Sequence, residues 1–128
     1  MYLKKTDTDL NGSFDLEEYF DAGSNGKARE AIDTNKDGIM DDFYYFEKDQ
    51  IIREEIDTNY DKKPDMWVLF EYNKNGSLKE CIVQKDNNFD GKPDEWHYTD
   101  SKRRVIKVEK DTDFDGKIDY TKDYKNGK

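Results

Sequence analysis

The sequence predicts a mainly β chain: an antiparallel meander of β-hairpins joined by acidic loops. Three observations point there. An aspartate-rich nonapeptide recurs five times in this 128-residue chain, starting at Asp7, Asp33, Asp57, Asp86 and Asp111, with starts separated by 26, 24, 29 and 25 residues. Between copies lie segments rich in aromatic and β-branched residues, the composition of strands. Tight-turn signals then split each of those segments in two.

The elements follow in order. Phe43–Glu47, Met66–Tyr72, Glu95–Tyr98 and Arg104–Glu109 read as strands. Turn signals stand at Gly23–Gly26, Lys48-Asp49, Asn73–Gly76 and Asp100–Arg103. Each unit is thus an acidic loop, a strand, a turn and a returning strand, with units at about 7–32, 33–56, 57–85, 86–110 and 111–128 of a single repeat domain. A period in this range marks a repeat array. Leu16–Asp21 and Lys27–Ile32 carry good helix formers, so a short helix is expected in the first unit around Leu16–Asp21. The lead-in to the first loop resembles Val105–Asp111, and Tyr124–Lys128 resembles the start of another unit. The chain therefore reads as beginning and ending in mid-repeat, as part of a longer array or as a ring closed by its own ends.

The nonapeptide has a chemical reading. Oxygen donors at positions 1, 3, 5 and 9, a glycine at position 6 and a backbone carbonyl at position 7 are what a loop needs to wrap Ca²⁺. The first loop supplies Asp7, Asp9, Asn11, the Ser13 carbonyl and Asp15, with Glu18 at position 12 as the bidentate ligand of the complete D-x-[DN]-x-[DN]-G-x₅-E pattern. The second supplies Asp33, Asn35, Asp37, the Ile39 carbonyl and Asp41. The third supplies Asp57, Asn59, Asp61, the Lys63 carbonyl and Asp65, with Lys62 in place of glycine, and is the weakest candidate. The fourth supplies Asp86, Asn88, Asp90, the Lys92 carbonyl and Asp94; the fifth supplies Asp111, Asp113, Asp115, the Lys117 carbonyl and Asp119. Position 12 is Tyr44, Val68, His97 and Lys122 in these four, so no bidentate glutamate follows. Four or five Ca²⁺ ions are expected. Mg²⁺ suits such loops less well, and one histidine and one cysteine argue against zinc.

The shortened D-x-D-x-D-G-x-x-D form resembles the EF-hand-like calcium loops of FG-GAP/VCBS-type repeats, and its opening is shared with dockerin and thrombospondin type 3 loops. The likeness covers the nine-residue loops alone. It implies loops that join two strands around calcium. The roughly 25-residue period is too short for a four-stranded propeller blade, so that fold is not implied.

Composition sets the remaining bounds. Charged residues make up 41%, hydrophobic residues 33% and aromatic residues 14%, and mean hydropathy is −1.26. That combination fits a thin structure in which metal replaces part of a core. The ten charges of five Ca²⁺ would carry the formal net charge from −9 to +1. Without metal, repulsion among the loop carboxylates disfavours the folded turns. Phosphates would be repelled, so nucleic acid is not an expected partner. No apolar run reaches transmembrane length, so membrane insertion is not expected. Cys81 reads as a small buried hydrophobe, His97 as structural, and Lys102–Arg104 as a solvated turn. Trp67 and Trp96 occupy equivalent places, two residues after the position-9 Asp. They read as core packing, with sugar stacking as the alternative.

No nucleophile motif, phosphate loop or dinucleotide fingerprint is present, so no enzyme is expected. Loops without the bidentate glutamate bind calcium at about 10⁻⁴–10⁻³ M, the range of extracellular modules. The expectation is a calcium-binding structural or adhesive repeat of an extracellular, surface or periplasmic protein. Its partners are neighbouring repeats and a protein or glycan. A calcium sensor, and a non-catalytic carbohydrate-binding or anchoring module of a secreted enzyme, are the alternatives.

Overall fold

The computed structural model describes residues 2–23 and 26–124 and is all-β. Ten strands run in sheet order as they do in sequence: β1 (Tyr2–Thr6), β2 (Leu16–Phe20), β3 (Lys27–Ile32), β4 (Asp42–Glu47), β5 (Gln50–Ile56), β6 (Met66–Tyr72), β7 (Leu78–Lys85), β8 (Glu95–Thr99), β9 (Val105–Lys110) and β10 (Tyr120–Asp123). This is the antiparallel hairpin meander that the loop spacing predicts. The expected restart at Tyr124–Lys128 lies outside the described residues beyond Tyr124, as do Ser24 and Asn25 of the first turn.

The expected helix at Leu16–Asp21 is not formed. Leu16–Phe20 is a strand with ladder partners on both sides, Thr6 and Ile32 opposite Leu16, Lys4 and Glu30 opposite Glu18. A helix there would leave the backbone groups of β1 and β3 without that ladder, and pairing outweighs a propensity difference of tenths of a kcal/mol per residue.

The turns obey the sequence signals. Lys48 and Asp49 both take positive φ (51° and 64°) between the paired Glu47 and Gln50, as a two-residue hairpin turn requires. Gly76 (φ 89°) closes the Asn73–Ser77 turn. The hairpins β2–β3, β4–β5, β6–β7 and β8–β9 each carry a register shift near the turn, which accommodates the bend.

The chain divides into two compact units, Met1–Pro64 and Asp65–Lys128. Within each, every substantial strand contact is with a sequence neighbour, so the sheet is one layer thick among the described residues. Both faces meet solvent, and little hydrocarbon is sequestered. In the first unit Ala31 is the buried apolar residue, and the Arg29 guanidinium lies 5.1–5.6 Å from the rings of Tyr19, Phe43 and Tyr45. Cation–ring contacts do there what a second layer does elsewhere. In the second unit Val68, Cys81 and Val108 are buried on one sheet face together with Thr99, whose hydroxyl bonds the Cys81 carbonyl.

Because that cluster is the second unit's apolar anchor, Val68→Ala removes two buried methylene equivalents. It should destabilise by about 1.5 kcal/mol, read from urea unfolding. The Cys81 thiol, fully buried, should resist a disulfide-exchange reagent in native buffer and react once the chain is unfolded.

Candidate metal centres

Each loop is folded by its own first aspartate. The carboxylate of position 1 accepts two backbone N–H bonds, one from position 5 and one from position 6. The distances repeat down the chain: 3.2 and 2.8 Å at Asp7, 3.2 and 2.8 Å at Asp33, 3.2 and 2.7 Å at Asp57, Asp86 and Asp111. The side-chain oxygen at position 5 then accepts the position-7 N–H, at 2.8–2.9 Å from Asn11, Asp37, Asp61, Asp90 and Asp115. The N–H groups of Ser13, Ile39, Lys63, Lys92 and Lys117 are thereby fixed, which orients the peptide whose carbonyl is the expected donor.

The position-9 aspartate closes the loop from the other end. Asp15, Asp41, Asp94 and Asp119 accept the backbone N–H of position 2, and Thr8, Thr34 and Thr112 add their hydroxyls. Position 2 lies outside the ligand pattern. It is Thr in the first, second, third and fifth loops and Asn87 in the fourth, and that regularity was the available signal.

These arrangements bury acid. Asp15, Asp33, Asp41, Asp57, Asp65, Asp86, Asp94 and Asp111 are all buried, eight carboxylates against four buried apolar side chains among the described residues. Asp7 is partly exposed and Asp119 exposed. In three loops the carboxylates converge: one oxygen each from Asp7, Asp9 and Asp15, from Asp33, Asp37 and Asp41, and from Asp111, Asp113 and Asp115 lies within 4.8 Å of its companions. Each of these groups could hold a metal ion. The donor set is entirely oxygen, which suits a hard divalent cation rather than zinc or copper.

Where position 3 is asparagine, its amide joins the loop. In the second, third and fourth loops the amides of Asn35, Asn59 and Asn88 donate to Asp37, Asp61 and Asp90 at 3.3 Å. Asp86, Asp90 and Asp94 do not form a fourth such cluster. Asp65 begins the second unit, where its carbonyl accepts the Asp86 N–H. Glu18, the expected bidentate ligand, sits in mid-strand with its carboxylate 2.7 Å from Lys27 Nζ. The position-12 geometry of an exiting helix is therefore missing.

Electrostatics register the crowding. Asp113 is pushed up to about 6, chiefly by the carboxyl of Asp111 with which it shares a hydrogen bond. Asp42, beside the second loop, is pushed up to about 7 by burial and then by Glu54. Burial also raises Asp94. Asp15 goes the other way, down to about 2, because Lys36 Nζ of the next loop lies 2.6 Å from its carboxylate.

Consecutive loops are tied through their ligand positions. The N–H of position 1 donates to the position-9 carbonyl of the loop before it: Asp33 to Asp15 and Asp57 to Asp41 in the first unit, Asp86 to Asp65 and Asp111 to Asp94 in the second, all at 2.8–2.9 Å.

Two predictions follow from this geometry. Gly91 has φ 90° with open space where a Cβ would stand, so Gly91→Ala strains the backbone without a clash and should cost about 1 kcal/mol, read from thermal melting. In chelator, the folded chain holds protons on Asp42 and Asp113 between about pH 4 and pH 7 that an unfolded chain has released. Stability should therefore rise as pH falls from about 7 to about 5; a melting series in EDTA that declines over that window would contradict the assignment.

Comparison of the chain with family models, with curated proteins and with solved structures returns no match.

Proposed function

We propose that this chain is a calcium-stabilised structural repeat module, built to act outside the cytosol, in which the ions hold successive hairpins together. The carrying observation is the inversion of the usual interior, with more buried carboxylates than buried hydrocarbon side chains. Burying a charge is costly unless a counter-charge accompanies it. Lys36 pairs with Asp15 and Asp9, and no lysine or arginine forms an ion pair with the buried Asp33, Asp41, Asp57, Asp86, Asp94 or Asp111 among the described residues.

A bound Ca²⁺ would supply two positive charges to each cluster. The residues to hold it are the aspartates and asparagines of positions 1, 3, 5 and 9 and the position-7 carbonyl. Their placement gives such binding a structural consequence. Position 9 of one loop and position 1 of the next share a backbone hydrogen bond, so ordering one loop orders its neighbour. The edge then stiffens, and the sheet faces become a fixed surface for a protein or glycan. This coupling favours a scaffold over a sensor, as does Glu18, whose pairing with Lys27 removes the ligand that made the first loop distinctive. The absence of a bidentate glutamate in the other loops favours millimolar affinity and hence a calcium-rich compartment.

The test is a calcium titration followed by circular dichroism and thermal melting, with bound metal counted at saturation. Four or five ions and a cooperative rise in melting temperature are expected, and EDTA should reverse the rise. An unchanged melting temperature in EDTA would refute the stapling role.

A further inference from the structure

One face of the second unit carries an ordered row. Trp67 on β6 stands opposite Gln84 on β7, Gln84 opposite Trp96 on β8, and Trp96 opposite Glu109 on β9. Residues opposite one another in a ladder share a face. The two indoles are therefore two strand spacings apart, roughly 9.5 Å, with an amide between them. Both tryptophans are half-buried, so each packs on its neighbours and keeps part of its ring open to solvent.

Trp96 also walls a groove of about 450 Å³ between the fourth and fifth loops, with Pro93 and Phe114 as its other apolar walls and Asp90, Lys92 and Asp115 at its polar positions. Phe114 carries an open aromatic ring to this groove. It stands at position 4 of its loop with φ 58° and remains 47% exposed. A bulky residue in the left-handed region is strained. Glycine would relieve that strain, and the half-exposed ring recovers little by burial. The same φ of 58–62° recurs at position 4 of every loop, so the strain belongs to the loop fold, and the half-exposed ring is what the groove offers a ligand.

The chemistry selects the ligand. A peptide strand cannot add here, because β7 and β8 are paired on both edges. An amphipathic helix needs a continuous apolar stripe, and this row alternates aromatic with polar groups. An anionic chain is disfavoured because the row ends on the Glu109 carboxylate. Alternating ring faces and hydrogen-bonding groups at this spacing match a chain of pyranose rings, whose C–H faces stack on indoles while hydroxyls reach an amide or carboxylate.

We propose that the Trp67–Gln84–Trp96 row and its adjoining groove bind a neutral oligosaccharide lying across the strands, with one sugar ring on each indole and Gln84 bonded to the ring between. The experiment uses the full chain in millimolar calcium. Tryptophan emission and heat are followed during titration with cello-, xylo-, manno- and chito-hexaose, and with a uronate hexamer as anionic control. At least one neutral hexamer should bind and shift the emission. Trp96→Ala should weaken it by at least about tenfold, one aromatic contact's worth, and Trp96→Phe should restore part of the loss. Trp67→Ala should weaken the hexamer more than the disaccharide. Phe114→Gly should lose affinity without losing melting temperature, which a merely structural ring would not do. No response to any neutral hexamer, preference for the uronate, or full affinity in Trp96→Ala would each overturn the proposal. The calcium-dependent melting shift is read in the same samples, so an intact shift with no sugar response removes this inference and leaves the stapling role standing.

Discussion

Every loop depends on one carboxylate that grips its own backbone. The first aspartate of each nonapeptide accepts two N–H groups four and five residues on, and its own N–H reaches back to the preceding loop in the four later copies. That side chain is at once a turn-former, a tie to the neighbouring repeat and a member of the candidate ligand set. Local folding, array formation and metal chemistry are therefore one constraint. The two N–H groups reach different carboxylate oxygens, so an amide at position 1 would set an NH2 donor against one of them.

The one-layer sheet follows from that constraint. A protein that organises itself at a loop edge has less need to cover its strands, and the charged and aromatic residues between loops are free to line two solvated faces. Cross-strand contacts carry the interior of each unit: Arg29 among three rings in one, Val68 with Cys81 and Val108 in the other. The same openness leaves Trp67 and Trp96 in reach of solvent, where a two-layer fold would have hidden them.

Much of the architecture was legible because the signals repeat. Aspartates at fixed offsets placed the loops, Lys48-Asp49 and Asn73–Gly76 placed turns, and the strands between them had nowhere else to go. The first unit misled because Leu16–Asp21 has helix-forming residues, and propensity is a local quantity. Its strand state comes from Thr6, Lys4, Glu30 and Ile32 on either side, partners that no window of the sequence contains. Glu18 failed for the same reason. Its fit to position 12 is a matter of spacing, whereas its side chain answers to Lys27 across the hairpin. The position-2 threonines were visible but had no assigned job until Asp15, Asp41 and Asp119 were seen to receive them.

Lys36 makes the edge uneven. Its ammonium already rests against Asp15 and stands 4.0 Å from Asp9, so the first cluster has a tethered cation of its own. A divalent ion arriving there would have a resident to displace, and the second loop would lose the anchor of its one lysine. The fifth loop's cluster has no such occupant among the described residues, and its crowding is felt as an upward shift of Asp113 beside Asp111. Identical spacing thus yields clusters that differ in the cation each already has at hand, and the difference is set by a lysine that belongs to the neighbouring repeat.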